Sequence, residues 1–122
     1  MKYLLIALLS IMFIQGCSSS SPPNCSSDAT TNTLKNILLG NDVAKVGQYI
    51  KFENITPVRK DDAIKKIDCS AVIIAVGKET GYKMPITYAT QLNENGEHIV
   101  KMNSINRTDL EMIAAAIYSN IK

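Results

Sequence analysis

Tryptophan is absent from this chain, phenylalanine occurs twice and histidine once. An interior without large rings has to be assembled from aliphatic side chains. The single imidazole, His98, has no second histidine and no CxxC pair to complete a metal shell. Neither a metal nor another cofactor is therefore expected. Charge of one sign is lacking too, since 13 basic residues against 11 acidic ones give a formal net charge of +2, scattered along the chain. That balance leaves no electrostatic footprint for nucleic acid. The one long apolar run, Tyr3 to Ile14, is shorter than the roughly 20 residues a membrane span requires.

What is present begins at the N-terminus. The 122 residues have room for one domain. Lys2 supplies a positive start, Tyr3 to Ile14 an apolar stretch, and small residues follow, which is the layout of a secretory signal over residues 1–16. The competing reading is an uncleaved N-terminal anchor or a buried helix. At Ile14-Gln15-Gly16-Cys17 the sequence resembles the lipobox of bacterial lipoprotein precursors. The resemblance implies lipid attachment to the Cys17 thiol, cleavage before it and acylation of the new amino terminus. In the enterobacterial sorting pattern the resemblance, with Ser18 rather than Asp after the cysteine, implies transfer to the outer membrane with the domain facing the periplasm; other bacterial groups sort by other rules. Several acyl chains on one residue make a durable anchor, because each buried methylene contributes about 0.8 kcal/mol. Residues 17–27 then read as a lipidated tether, with Ser18 to Asn24 offering nothing apolar to bury and Pro22 and Pro23 stiffening its end.

With Cys17 assigned to lipid, Cys25 and Cys69 remain as a pair in a chain exported to an oxidising compartment, and a disulfide between them is the natural inference. The alternative is a buried Cys69 thiol and a free Cys25.

Residues 28–122 form the expected globular domain. Leu34, Ile37 and Leu38 recur at helical spacing and Gly40 is placed to end that helix; Asp42 is placed to cap a second one carrying Val43, Val46, Tyr49 and Ile50, weakened by Gly47. Phe52 to Lys60 reads as an edge strand, or as a strand interrupted by a bulge, because of Pro57. Ile67 to Val76 is apolar on both parities from Ala71 onward, as in a central strand covered on both faces or deeply buried. Met84, Ile86, Tyr88, Thr90 and Leu92 share one parity of a half-buried strand, and Asn95-Gly96 is a turn suited to positive φ before the returning strand Glu97 to Asn103. A C-terminal helix carries Leu110, Ile113, Ala114, Ile117 and Ile121 on one face, with Thr108 and Glu111 at capping-box spacing. The class is α+β: N-terminal helices, an antiparallel meander of three to four strands and a helix packed on the sheet, although the apolar stripe of that helix would also suit a partner. The layout resembles small cystatin-like and NTF2-like lipoproteins, which implies an opening helix cradled by a curved sheet.

Catalytic patterns do not assemble. Gly77-Lys78-Glu79-Thr80 has the look of a P-loop end, but Val72 occupies the earlier glycine position and strands flank it. His98 sits in a strand beside the polar Glu97 and Lys101, and Asp61-Asp62 and Glu94/Glu97 lie at turns, where carboxylates usually serve solvation and turn geometry. Arg59, Lys60, Lys65 and Lys66 bracket Asp61 and Asp62 and make a candidate contact surface for an acidic partner or lipid headgroups, against the plainer reading of a solvated loop. The expectation is a lipid-anchored, non-enzymatic protein-binding module of the envelope. An inhibitor or immunity/exclusion protein directed at a lysozyme, a toxin or an incoming conjugative element is an alternative, and a structural subunit of an envelope secretion machine is another.

Overall fold

The computed structural model describes residues 21–121. The signal-like segment 1–16 and Cys17 lie outside the described residues. In chain order the elements are α1 (Asp28–Leu39), the one-turn helix α2 (Val43–Val46), β1 (Ile50–Asp61), β2 (Lys66–Ala75), β3 (Tyr82–Leu92), β4 (His98–Met102) and α3 (Arg107–Tyr118). The strands form a single antiparallel sheet in the order β1-β2-β3-β4, so the chain is α+β.

The interior lies on one face of that sheet. Along β2 every second residue is buried: Ile67, Cys69, Ala71, Ile73 and Ala75. Ile86, Tyr88 and Thr90 of β3 and Val100 of β4 extend the same surface. Leu34 of α1, Val46 of α2 and Ile113, Ala116 and Ile117 of α3 pack over it. The expectation that β2 is covered on both faces is corrected, because Lys66, Asp68, Ser70, Val72 and Ile74 of the other parity are only half-buried. Val72 and Ile74 meet the β-propensity of branched side chains there without being enclosed.

The helices settle differently from their periodicity in three places. In α1, Ser27 caps by accepting from the Thr30 amide and Gly40 ends the helix at φ 55, yet Ile37 points outward at 48% exposed. The second helix is only Val43–Val46, and Asp42 makes no side-chain cap bond to it; Asp42 instead accepts the hydroxyl of Tyr118, while Ile50 opens β1. In α3 the N-cap is Asn106, whose Oδ1 accepts from the Asp109 amide at 2.8 Å, in place of the Thr108/Glu111 box. Asp109 then accepts the hydroxyl of Tyr82 in β3. This pair orients the helix so that Ile113, Ala116 and Ile117 face inward, leaving Leu110 and Ile121 each 41% exposed.

The turn between β3 and β4 is held by Asn93, whose Oδ1 accepts from the amides of Asn95 and Glu97, and only Gly96 takes positive φ, at 79. The β2–β3 connection is shaped by two close approaches: a Cβ on Gly77 would lie 1.7 Å from the Thr80 carbonyl oxygen, and one on Gly81 would lie 2.8 Å from that of Ala75. Residues with side chains do not fit there.

Pro22 to Ser27 form a strap on the core face. Pro22 is buried. Thr90 donates to the Pro23 carbonyl at 2.9 Å, Thr30 to that of Asn24 at 2.8 Å, and Tyr88 to that of Cys25 at 2.7 Å. Cys25 is bonded to Cys69 with Cα atoms 5.9 Å apart, and the sequence separation is 44. Closing a loop of that length contributes about 4 kcal/mol in the chain-entropy account.

Candidate functional site

Among the described residues all coverage of the sheet is on one side, and the opposite face is left open. Its composition follows from the register. Lys51, Ile74 and Lys83 form a row across β1, β2 and β3; Glu53, Val72 and Pro85 form the next. The central row is Thr56, Ser70, Thr87 and, just past β4, Asn103, whose amide donates to the Thr87 carbonyl at 3.1 Å. Arg59, Asp68, Ala89 and Lys101 follow, then Asp61, Lys66, Gln91 and Ile99. None of these residues is buried.

Two irregularities in β1 add to this face. Register shifts fall between Glu53 and Thr56 and between Pro57 and Arg59. At the first, Asn54 takes φ 52. The bulges carry Asn54 and Val58 onto the open face: Asn54 borders an open depression of about 460 Å³ together with Ser70, Val72, Pro85, Thr87 and Asn103. Val58, 66% exposed, borders an adjoining one of about 280 Å³ with Asp68, Ala89 and Lys101. Bulges of this kind re-aim side chains and also protect a sheet edge, and Pro57 reinforces that protection on β1, which is an edge strand as expected.

The chemistry on offer is hydrogen bonding over small apolar patches. Asn103 Nδ2 donates to Thr87 Oγ1. The aromatic strand residues Phe52, Tyr82 and Tyr88 have the opposite, core-face parity, so among the described residues no strand ring lies on this face.

The expected site residues are dispersed. Cys17 lies outside the described residues. Cys25 and Cys69 are bonded to each other and buried at 4% and 1% exposure, which makes them part of the interior. Arg59, Lys60, Lys65 and Lys66 all lie on the β1–β2 hairpin, but the alternation of β1 sends Arg59 and Lys60 to opposite faces. Lys66 meets Asp68 at 3.5 Å and Lys60 meets Asp62 at 3.7 Å, so each of these cations has a carboxylate beside it. Lys65 occupies the turn at φ 51. Arg59 and Lys66 thus contribute to the open face within a polar rim shared with Asp61 and Asp68.

His98 has a structural set of contacts. Thr90 has one hydroxyl proton and gives it to Pro23, so at its 2.6 Å contact with His98 the ring Nε2 must be the donor. Burial holds the imidazole pKa below its ordinary 6.5. Tyr82 and Tyr118 are raised above the usual phenol range, chiefly because Asp109 and Asp42 accept their hydroxyl protons. Among the described residues no group of three or more His, Cys, Asp or Glu side chains is placed to hold a metal ion, and no helix is long and apolar enough to cross a membrane.

What the sequence reasoning missed is the central row and the two bulge residues. The polar parity Lys66, Asp68, Ser70 was a usable signal for the first; Pro57 signalled the interruption beside Val58, while nothing local marked the one at Asn54. Comparison of the chain with protein-family models, curated proteins and solved structures returned no match in any of the three.

Proposed function

We propose that this chain is a lipid-anchored protein of the bacterial envelope that binds another protein, without catalysis, through the open face of its sheet. The observation that carries the reading is the one-sided burial: five rows of strand residues, none of them buried, opposite a face closed by three helices and a strap. Interfaces deplete charge at their centre and keep it at the rim, and here the uncharged row Thr56, Ser70, Thr87 and Asn103 lies between charged ones. The anchor rests on the lipobox-like Ile14-Gln15-Gly16-Cys17. From Cys17 to the buried Pro22 the chain reaches about 17 Å at most. The strap runs from the Thr90 level toward Tyr88, so its start lies at the sheet end that carries the β1–β2 and β3–β4 turns. A lipid on Cys17 holds that end toward an outer-membrane surface facing the periplasm and leaves the open face accessible from the side.

Two experiments test the reading. Cys17→Ser leaves the protein unlipidated and outside the membrane fraction; unchanged membrane association overturns the anchor. A photoreactive residue at Thr87 in intact cells traps a protein adduct that is lost on adding Ser70→Arg to the same face. No adduct at Thr87, or one indifferent to Ser70→Arg, overturns the binding face.

A further inference from the structure

Charge along β1 has a symmetry of its own. Along β1 the outward residues read Lys51 positive, Glu53 negative, Thr56 neutral, Arg59 positive, Asp61 negative. Turning this column end for end about Thr56 places every charge over its opposite.

We propose that the occupant of the open face is a second copy of this chain, packed sheet on sheet about a two-fold axis running across the strands through Thr56, Ser70, Thr87 and Asn103. This rests on the reading of that face as a protein-binding surface and names the partner. About this axis Lys51 faces the Asp61 of the other copy and Glu53 faces its Arg59, each contact occurring twice. Pro85 meets Ala89, Lys83 meets Gln91, and Val72 meets Asp68, whose charge is held by Lys66 at 3.5 Å while the Lys66 stem lies over Ile74. On the axis itself each hydroxyl or amide faces its own copy, and such groups act as both donor and acceptor. No like charges stand directly opposite each other. A two-fold axis parallel to the strands, by contrast, sets Arg59 against Lys101. Self-complementarity thus selects one of the two face-to-face arrangements.

The area fits a weak dimer. Five rows two residues apart span about 27 Å and three strands about 10 Å, β4 adding only the Asn103 row to the surface shared about this axis. With side chains included the shared face covers about 450 Å² per copy, or about 900 Å² in the pair, in the range of weak interfaces. The same column of charges also suits edge-to-edge pairing of β1 with β1, but Pro57 supplies no N–H and the shifts at Glu53/Thr56 and Pro57/Arg59 interrupt the ladder that such pairing needs.

Sedimentation equilibrium of the full-length chain in detergent reads the proposal. A residue on the axis faces its own copy, so Thr87→Arg and Thr87→Glu both place like charge on like charge, and each raises the dimer dissociation constant roughly tenfold or more. Glu53→Arg weakens the dimer and Arg59→Glu, added to it, restores the association. Circular dichroism and the urea midpoint of each variant confirm that these exposed substitutions leave the fold intact. Weakening by only one sign at Thr87 overturns the axis. A dimer that depends on Glu53 and Arg59 but ignores both Thr87 variants is edge paired, and overturns it as well. A monomeric chain whose photoreactive Thr87 still traps a different envelope protein overturns the second copy while leaving the binding face standing; a monomer with no adduct overturns both.

Discussion

The hydroxyl of Tyr88, in the middle of β3, donates at 2.7 Å to the main-chain carbonyl of Cys25, a residue 63 positions earlier. Tyr88 is 3% exposed, and desolvation raises its phenol pKa. The bond sits next to the Cys25–Cys69 disulfide, since Cys69 is the register partner of Tyr88 on β2. Strap and sheet are therefore joined at one place by a covalent and a polar link. Tyr88→Phe keeps the ring and strands the carbonyl, a change expected to lower unfolding free energy by about 1–2 kcal/mol in urea titrations with the disulfide intact. A loss near zero would show that the strap carbonyl finds another donor.

The disulfide itself carries more. Cys25→Ala with Cys69→Ala is expected to lower stability by about 4 kcal/mol, from the lost closure of a long loop. Once the strap is free to leave, the Tyr88 bond has less to hold. Tyr88→Phe in the cysteine-free chain should therefore cost less than in the parent, and a double-mutant cycle with urea denaturation measures the difference. Strict additivity would mean that the strap stays docked without its bridge.

Acid should loosen the same region through His98. Its folded pKa lies below the unfolded 6.5 because burial disfavours the cation. A depressed pKa means that the contribution is complete above about 6.5 and is lost as pH falls through the folded value. Between pH 7.5 and pH 5 the urea midpoint should drop, and His98→Gln, which retains a donor toward Thr90, should drop less over the same interval. Identical slopes for parent and variant would remove His98 from this account.

Much of this fold can be read from alternation alone, and the reason is visible in β3: Ile86, Tyr88 and Thr90 share a parity and share a core. The same logic failed on β2, where Val72 and Ile74 look like interior residues and stand on the open face, because branched side chains suit a strand whether or not anything covers them. Asn54 was out of reach for a different reason. Its place on the face depends on the register shift between Glu53 and Thr56, which no local pattern records, whereas Pro57 does mark the interruption beside Val58. The basic cluster Arg59, Lys60, Lys65 and Lys66 is contiguous in sequence and divided in space, since a strand sends adjacent side chains to opposite sides. The open face as a site becomes legible only when helix coverage is known, and coverage is a property of the assembled layers.

The start of α3 offers a test between two readings of one segment. Thr108 with Glu111 has the spacing of a capping box, yet Asn106 accepts from the Asp109 amide at 2.8 Å and Thr108 lies within the helix. Asn106→Ala removes the acceptor for that amide and is expected to cost about 1 kcal/mol, the usual value of an N-cap. Thr108→Ala removes an exposed side chain from the first turn and should stay within about 0.5 kcal/mol. Asn106 also fixes the phase of the helix, because Asp109 accepts the hydroxyl of Tyr82 only in the orientation that turns Ile113, Ala116 and Ile117 to the sheet. Loss of the cap should therefore return the Tyr82 phenol toward its ordinary pKa, below the raised value it has in the folded chain. Spectroscopic titration of Tyr82, alongside urea midpoints for both variants, reads the two effects together; a larger loss for Thr108→Ala than for Asn106→Ala would restore the capping box and displace Asn106.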